Sequence, residues 1–290
     1  MKRSLAAVAI TFLCSGLAAA NFLEVETGAR AMGMGGAFVA VADDVTAIHW
    51  NPAGLAELGG FQLFGMRTSV YDVDGLSEDS VMASYGTGTY GFGAAWMRTG
   101  AQDLYNEDTI VLAGGARTPI DGLSVGVSVR RFSIDAPGYD YYADPGFDAD
   151  GDAGYAGDAG VLYRTAPWSF GATIRNIGEP ELKLIETTTD PDPLVSEFRL
   201  GATYLFREVM LMSVEWRAPR DVPSYYDEKN TLNIGTEIWF YDVVALRAGK
   251  NRDRITAGLG LKADPVRIDV ALLSERRIGP TYRFSAILVW

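Results

Sequence analysis

From residue 61 to residue 290 apolar and polar positions alternate in runs of about ten residues, each followed by a connector. In the final run Tyr282, Phe284, Ala286, Leu288 and Trp290 share one face, because successive side chains of a strand point to opposite sides. Thr281, Arg283, Ser285, Ile287 and Val289 share the other. The same division sets Leu123, Val125, Val127 and Val129 against Ser124, Gly126, Ser128 and Arg130. Trp168, Phe170, Ala172 and Ile174 oppose Ser169, Gly171, Thr173 and Arg175, and Phe198, Leu200, Ala202 and Tyr204 oppose Arg199, Gly201 and Thr203. The pattern predicts strands near 61–71, 79–86, 89–98, 108–118, 123–135, 154–165, 168–176, 196–206, 209–217, 231–241, 243–250, 254–263, 266–274 and 281–290.

A soluble β-sandwich alternates too, so the connectors must decide. The joins after even-numbered strands are tight: Thr87-Gly88, Asp121-Gly122, Ala166-Pro167, Arg207-Glu208, Asp242 and Asp264-Pro265. Most joins after odd-numbered strands are longer, as at 136–153, 177–195 and 218–230. Short turns on one side and long loops on the other describe a membrane barrel. An even strand count allows closure, which hydrocarbon requires because no backbone N–H or C=O can be left unpaired there. The fold class expected is all-β: a transmembrane antiparallel β-barrel of about fourteen strands with a short N-terminal hatch. A charge facing lipid at mid-depth costs roughly 2–4 kcal/mol, which assigns Arg130, Arg175, Arg199 and Arg283 to the lumen. Trp290 fits the terminal aromatic that serves such barrels as an assembly signal.

The start of the chain indicates export. Lys2 and Arg3 precede an apolar run from Leu5 to Leu13, and Ala18-Ala19-Ala20 offers a signal-peptidase site. The expected division is a cleaved signal peptide at 1–20, a hatch at 21–60 and a barrel at 61–290, delivered to the outer membrane of a Gram-negative bacterium. Cys14, the one cysteine, falls in the leader, so the mature chain has neither disulfides nor thiolate metal sites. The net charge of −12 argues against nucleic acid as a partner.

Residues 28–60 have another texture, rich in small residues. Asp43 or Asp44 is placed to cap a short helix running toward Trp50, and Asn51-Pro52 then forces a turn. The run from Gly28 to Ala56, GARAMGMGGAFVAVADDVTAIHWNPAGLA, resembles the N-terminal signature of the PorV/PorQ family and, more loosely, of the FadL family of outer-membrane proteins. Asp43, Asp44, Asn51, Pro52, Ala53 and Gly54 carry most of that resemblance. It implies a fourteen-stranded barrel with an N-terminal hatch. It also implies either passive transport of small hydrophobic compounds, placed first, or a non-transporting platform for type IX-like secretion or surface attachment.

Other chemistry is thinly represented. Gly33-x-Gly35-Gly36 lacks the register and the strand–turn–helix context of a nucleotide loop. His49 is the sole histidine, so a triad or a histidine metal centre has no second imidazole, and no enzyme and no cofactor are expected. Asp148, Asp150 and Asp152 resemble the start of a calcium loop, but Ala153 and Ala159 stand where the glycine and glutamate of an EF-hand belong. A looser calcium site and a solvated acidic loop both remain open. The partners expected are outer-membrane lipid, the barrel-assembly machinery, and either a hydrophobic small molecule or an exported protein. Inward positions are mostly Gly, Ser, Thr, Arg and Glu, which does not describe an oily tunnel but suits packing against the hatch.

Overall fold

The computed structural model describes residues 26–69, 75–101, 104–137, 151–183, 192–220, 230–274 and 280–290. The proposed leader, Asp148 and Asp150 lie outside them. Three short helical elements come first: α1 (Ala29–Gly33), α2 (Ala47–Trp50) and a 3-10 turn, η1 (Pro52–Glu57). Strands β1 (Gly59–Ser69), β2 (Leu76–Thr87), β3 (Tyr90–Ala101), β4 (Tyr105–Arg117), β5 (Leu123–Asp135), β6 (Asp152–Thr165) and β7 (Trp168–Ile177) follow. A two-residue hairpin of β8 (Glu181–Leu182) and β9 (Asp192–Pro193) lies in the next long connection. The wall resumes with β10 (Glu197–Phe206), β11 (Met210–Pro219), β12 (Thr231–Phe240), β13 (Val244–Asn251), β14 (Arg254–Ala263), β15 (Val266–Leu273) and β16 (Thr281–Val289).

Omitting β8 and β9, fourteen antiparallel strands form a closed barrel in which β1 pairs with both β2 and β16. Every strand predicted from the alternation is present, with ends within a few residues. The seam is completed by Phe61 N donating to Trp290 O at 3.1 Å and Trp290 N donating to Phe61 O at 2.9 Å. Gly60 precedes this pair at φ +71, where a Cβ would meet Trp290 O at 2.0 Å, so the left-handed backbone and the close approach both need glycine. The Arg207-Glu208 and Tyr241-Asp242 turns each place two consecutive residues at positive φ, the twist that two-residue hairpins favour.

The outward positions are apolar: Phe92, Leu112, Val127, Ile234, Ile255 and Phe284 are all exposed. Aromatic side chains gather near the short-turn end, with Phe61 against Trp290 at 5.3 Å and Trp168 against Tyr204 at 4.7 Å. Such a belt marks the boundary between hydrocarbon and head groups. A soluble protein rarely leaves so large an apolar surface open to water, so this wall faces lipid.

Candidate functional site: a plugged lumen

Inside the barrel the wall meets the N-terminal segment. Each residue from Glu26 to Ala56 is buried except Asp43. Helix α1 packs on β13 to β16, and η1 packs on β2 to β6, so the segment crosses the whole bore. It folds into short pieces because its sequence is punctuated. Gly35 and Gly36, at φ +67 and +69, reverse the chain after α1. Asn51 is extended at φ −161, and its side chain accepts from Ala53 N at 3.2 Å as Pro52 opens η1. The Asn51 amide also donates to Val39 O at 2.9 Å and to Val161 O of β6 at 3.0 Å, tying the hatch to itself and to the wall.

Asp44 departs from the capping role expected of it. The N-cap of α2 is Thr46, without a side-chain cap bond. The Asp44 carboxylate instead accepts from Thr46 N at 3.0 Å and from the Thr46 hydroxyl at 2.5 Å, which fixes the turn before the helix.

The wall fits this segment by omitting side chains. A Cβ added to Gly91 would lie 1.9 Å from Leu55 O, one on Gly126 2.3 Å from Ala53 N, and one on Gly171 2.3 Å from Val39 O. At Gly235 it would lie 2.2 Å from Met34 O, and at Gly249 2.4 Å from Gly35 N. The inward glycines visible in the sequence are therefore seats for hatch backbone.

Charge supplies further grip, and among the described residues three clusters stand out. In the first, Arg30 of α1 reaches Glu237 at 2.8 Å, Asp44 at 3.1 Å and Asp43 at 2.5 Å. Arg247 joins Glu237 at 2.6 Å and Asp269 at 2.8 Å, while Arg267 joins Asp44 at 2.5 Å and Asp269 at 3.0 Å. Burial alone would push the Asp44 carboxyl up, but Arg267 and Arg30 outweigh it and hold the group below the usual carboxylate range. In the second cluster Arg217 contacts Glu26 and lies 2.6 Å from Glu197, and Arg199 lies 2.9 Å from Glu197. Beside them Glu215 accepts from Phe38 N and Val39 N, each at 2.8 Å. The third is Arg130 on Asp158, with Arg130 also donating to His49 O at 3.3 Å.

All four arginines assigned to the lumen from sequence are buried. Arg283 contacts Glu26 O and lies 2.7 Å from Glu78. Arg175 is different: its Nε has no hydrogen-bond partner, and no ion pair to it occurs among the described residues. His49 sits edge-on to Trp50 at 5.3 Å, and neither ring nitrogen has a partner. Burial holds its imidazole well below the usual histidine range, and Arg175, Arg130 and Arg199 push it the same way. His49 is thus a neutral packing group.

Trp290 lies at the β1–β16 seam. Asp152, in β6, accepts from Ala153 N at 2.7 Å and Lys183 N at 3.1 Å. No cluster of metal-ligating side chains occurs among the described residues. Sequence reasoning did not single out Arg30, Glu215, Arg217, Glu237, Arg247 or Asp269. Five of them were detectable as charges on the inward parity of a strand, where lipid forbids an outward position.

Taken together these features define a closed fourteen-stranded transmembrane barrel plugged by its own N-terminal segment. No family model matches the chain, and no curated protein matches it. Solved structures do share its fold. The toluene transporter TbuX of Ralstonia pickettii is 16% identical, with 90% of this chain and 97% of that one covered at a TM-score of 0.60. The toluene transporter TodX of P. putida is 15% identical, with 91% and 97% covered at 0.57. A FadL homologue of Pseudomonas aeruginosa is 12% identical, with 91% and 98% covered at 0.58.

Proposed function

We propose that the protein is a passive channel for small hydrophobic compounds in the outer membrane, with residues 26–58 as its gate. The observation that carries this reading is how the lumen is filled. One segment occupies the bore, seated on glycines and held by ion pairs. Ion pairs can be exchanged for water as the lumen hydrates, so the segment can shift without opening the lipid-facing wall. The structures of similar fold include toluene transporters, which supports hydrophobic cargo.

Liposome flux of toluene and planar-bilayer conductance provide the test, using the full chain, Arg30→Met, and a chain lacking residues 21–58. Toluene entry above protein-free liposomes, raised in Arg30→Met and raised further by the deletion, supports a gated channel. A barrel silent in all three forms that co-purifies with exported proteins would instead favour the platform role suggested by the PorV/PorQ resemblance.

A further inference from the structure

The lipid-facing wall is not evenly convex. Two adjoining concavities of about 480 and 620 Å³ lie on its outer surface and share Ala202 and Val214. Register explains them. Ala172 pairs with Leu200, and Ala202 pairs with Phe170 and Val214, so two alanines form a floor between large neighbours. The second concavity follows the cross-strand row Tyr204, Met212, Thr236 and Ala248, and reaches Lys250.

Lys250 is exposed, and no ion pair to it occurs among the described residues. It stands next to the last residue of β13, beside the short hairpin that carries Arg252 and leads to Arg254. That hairpin follows an odd-numbered strand, so it lies on the long-loop side, opposite the Tyr241-Asp242 turn. A lysine on the lipid-facing wall is tolerated where its ammonium reaches the head groups. An apolar groove ending at such a cation matches an amphiphile whose polar end is anionic.

We propose that this face binds a phosphorylated membrane lipid carrying at least two acyl chains, from the leaflet on the long-loop side. Lys250 meets the phosphate, and the chains lie over Ala172–Ala202 and over Thr236–Ala248. The site is independent of whatever crosses the lumen and rests only on the outer wall facing lipid.

Native mass spectrometry of the full chain in neutral detergent, offered equal dipalmitoyl phosphatidate and dipalmitoyl phosphatidylcholine, tests it. The wild type should retain phosphatidate in preference to phosphatidylcholine. Lys250→Gln should lower that preference roughly fivefold. Lys262→Gln, an exposed lysine at the opposite end of β14, should leave it unchanged. Ala202→Trp, which fills the shared floor from outside, should lower retention of both lipids, with heat-modifiable gel mobility reporting that each variant is folded. Equal preference in wild type and Lys250→Gln, or an equal loss in Lys262→Gln, would overturn the proposal. So would retention unaffected by Ala202→Trp, or displacement of the lipid by inorganic phosphate alone.

Discussion

Arg30 and Glu237 form a forked pair: Nε donates to one carboxylate oxygen and a terminal nitrogen to the other, both at 2.8 Å. The two residues are 207 positions apart, one in the plug and one in the wall, and Arg247 donates to the same carboxylate at 2.6 Å. A bidentate guanidinium–carboxylate contact fixes orientation as well as distance. It sets how α1 sits against β12.

Glu237→Gln removes the acceptor charge from two buried guanidiniums. Breaking a buried pair from one side costs roughly 3–5 kcal/mol. Urea unfolding of the reconstituted barrel should show a loss in that range, and bilayer conductance should rise. An unchanged unfolding midpoint would mean the plug is held elsewhere.

The glycine seats make a steric prediction. Gly126→Val drives side-chain atoms into the Pro52–Ala53 backbone and should destabilise the plugged form by roughly 1–3 kcal/mol or more. Gly65→Ala, where nothing lies within 4 Å of the new methyl, is the control. The two variants are compared by urea midpoint and by proteolysis within residues 26–58. Equal behaviour would contradict close seating.

Arginines of the same face should differ in worth. Arg130→Met strands Asp158 in the wall and should cost roughly 3–5 kcal/mol. Arg175, without a carboxylate contact among the described residues, should tolerate Met at less than about 1.5 kcal/mol, or gain stability. Denaturant titration of both variants checks the ordering, and a larger loss at Arg175 would reverse it.

Acid should act first through His49. Its folded pKa lies below the unfolded value of about 6.5, so between the two values the unfolded chain binds the extra proton. Stability is therefore full above about pH 6.5 and falls as the pH drops below it, by at most ~1.4 kcal/mol per pH unit. Asp44, held below the usual carboxylate range, contributes fully across that window and begins to lose its share only as the pH falls below the unfolded aspartate value of about 3.9, where the unfolded chain takes up the proton first. Unfolding free energies from pH 7.5 to pH 5 should slope in the wild type and flatten in His49→Gln. Parallel slopes would assign the effect to another group.

The wall was legible in the sequence because period-two alternation and turn length act locally, and lipid penalises any error in either. Arg130, Arg175, Arg199 and Arg283 were assignable to the interior by parity alone. Their partners were not. Arg30 finds Glu237, and Arg217 finds Glu26, across separations of 207 and 191 residues fixed only once register and plug fold coincide. Asp44 shows the same limit at short range. Its position before α2 suggested a cap, yet the carboxylate that orders Thr46 also serves Arg30 and Arg267, and these tertiary contacts decide its place.

The glycine ledges belong to strands spread around the whole circumference, from Gly91 on β3 to Gly258 on β14. Plug and wall therefore share one diameter. Adding or removing a pair of strands would draw those ledges off their backbone partners all at once, and a plug shaped for this bore would rattle or jam in another. Strand number and plug sequence can change only in concert.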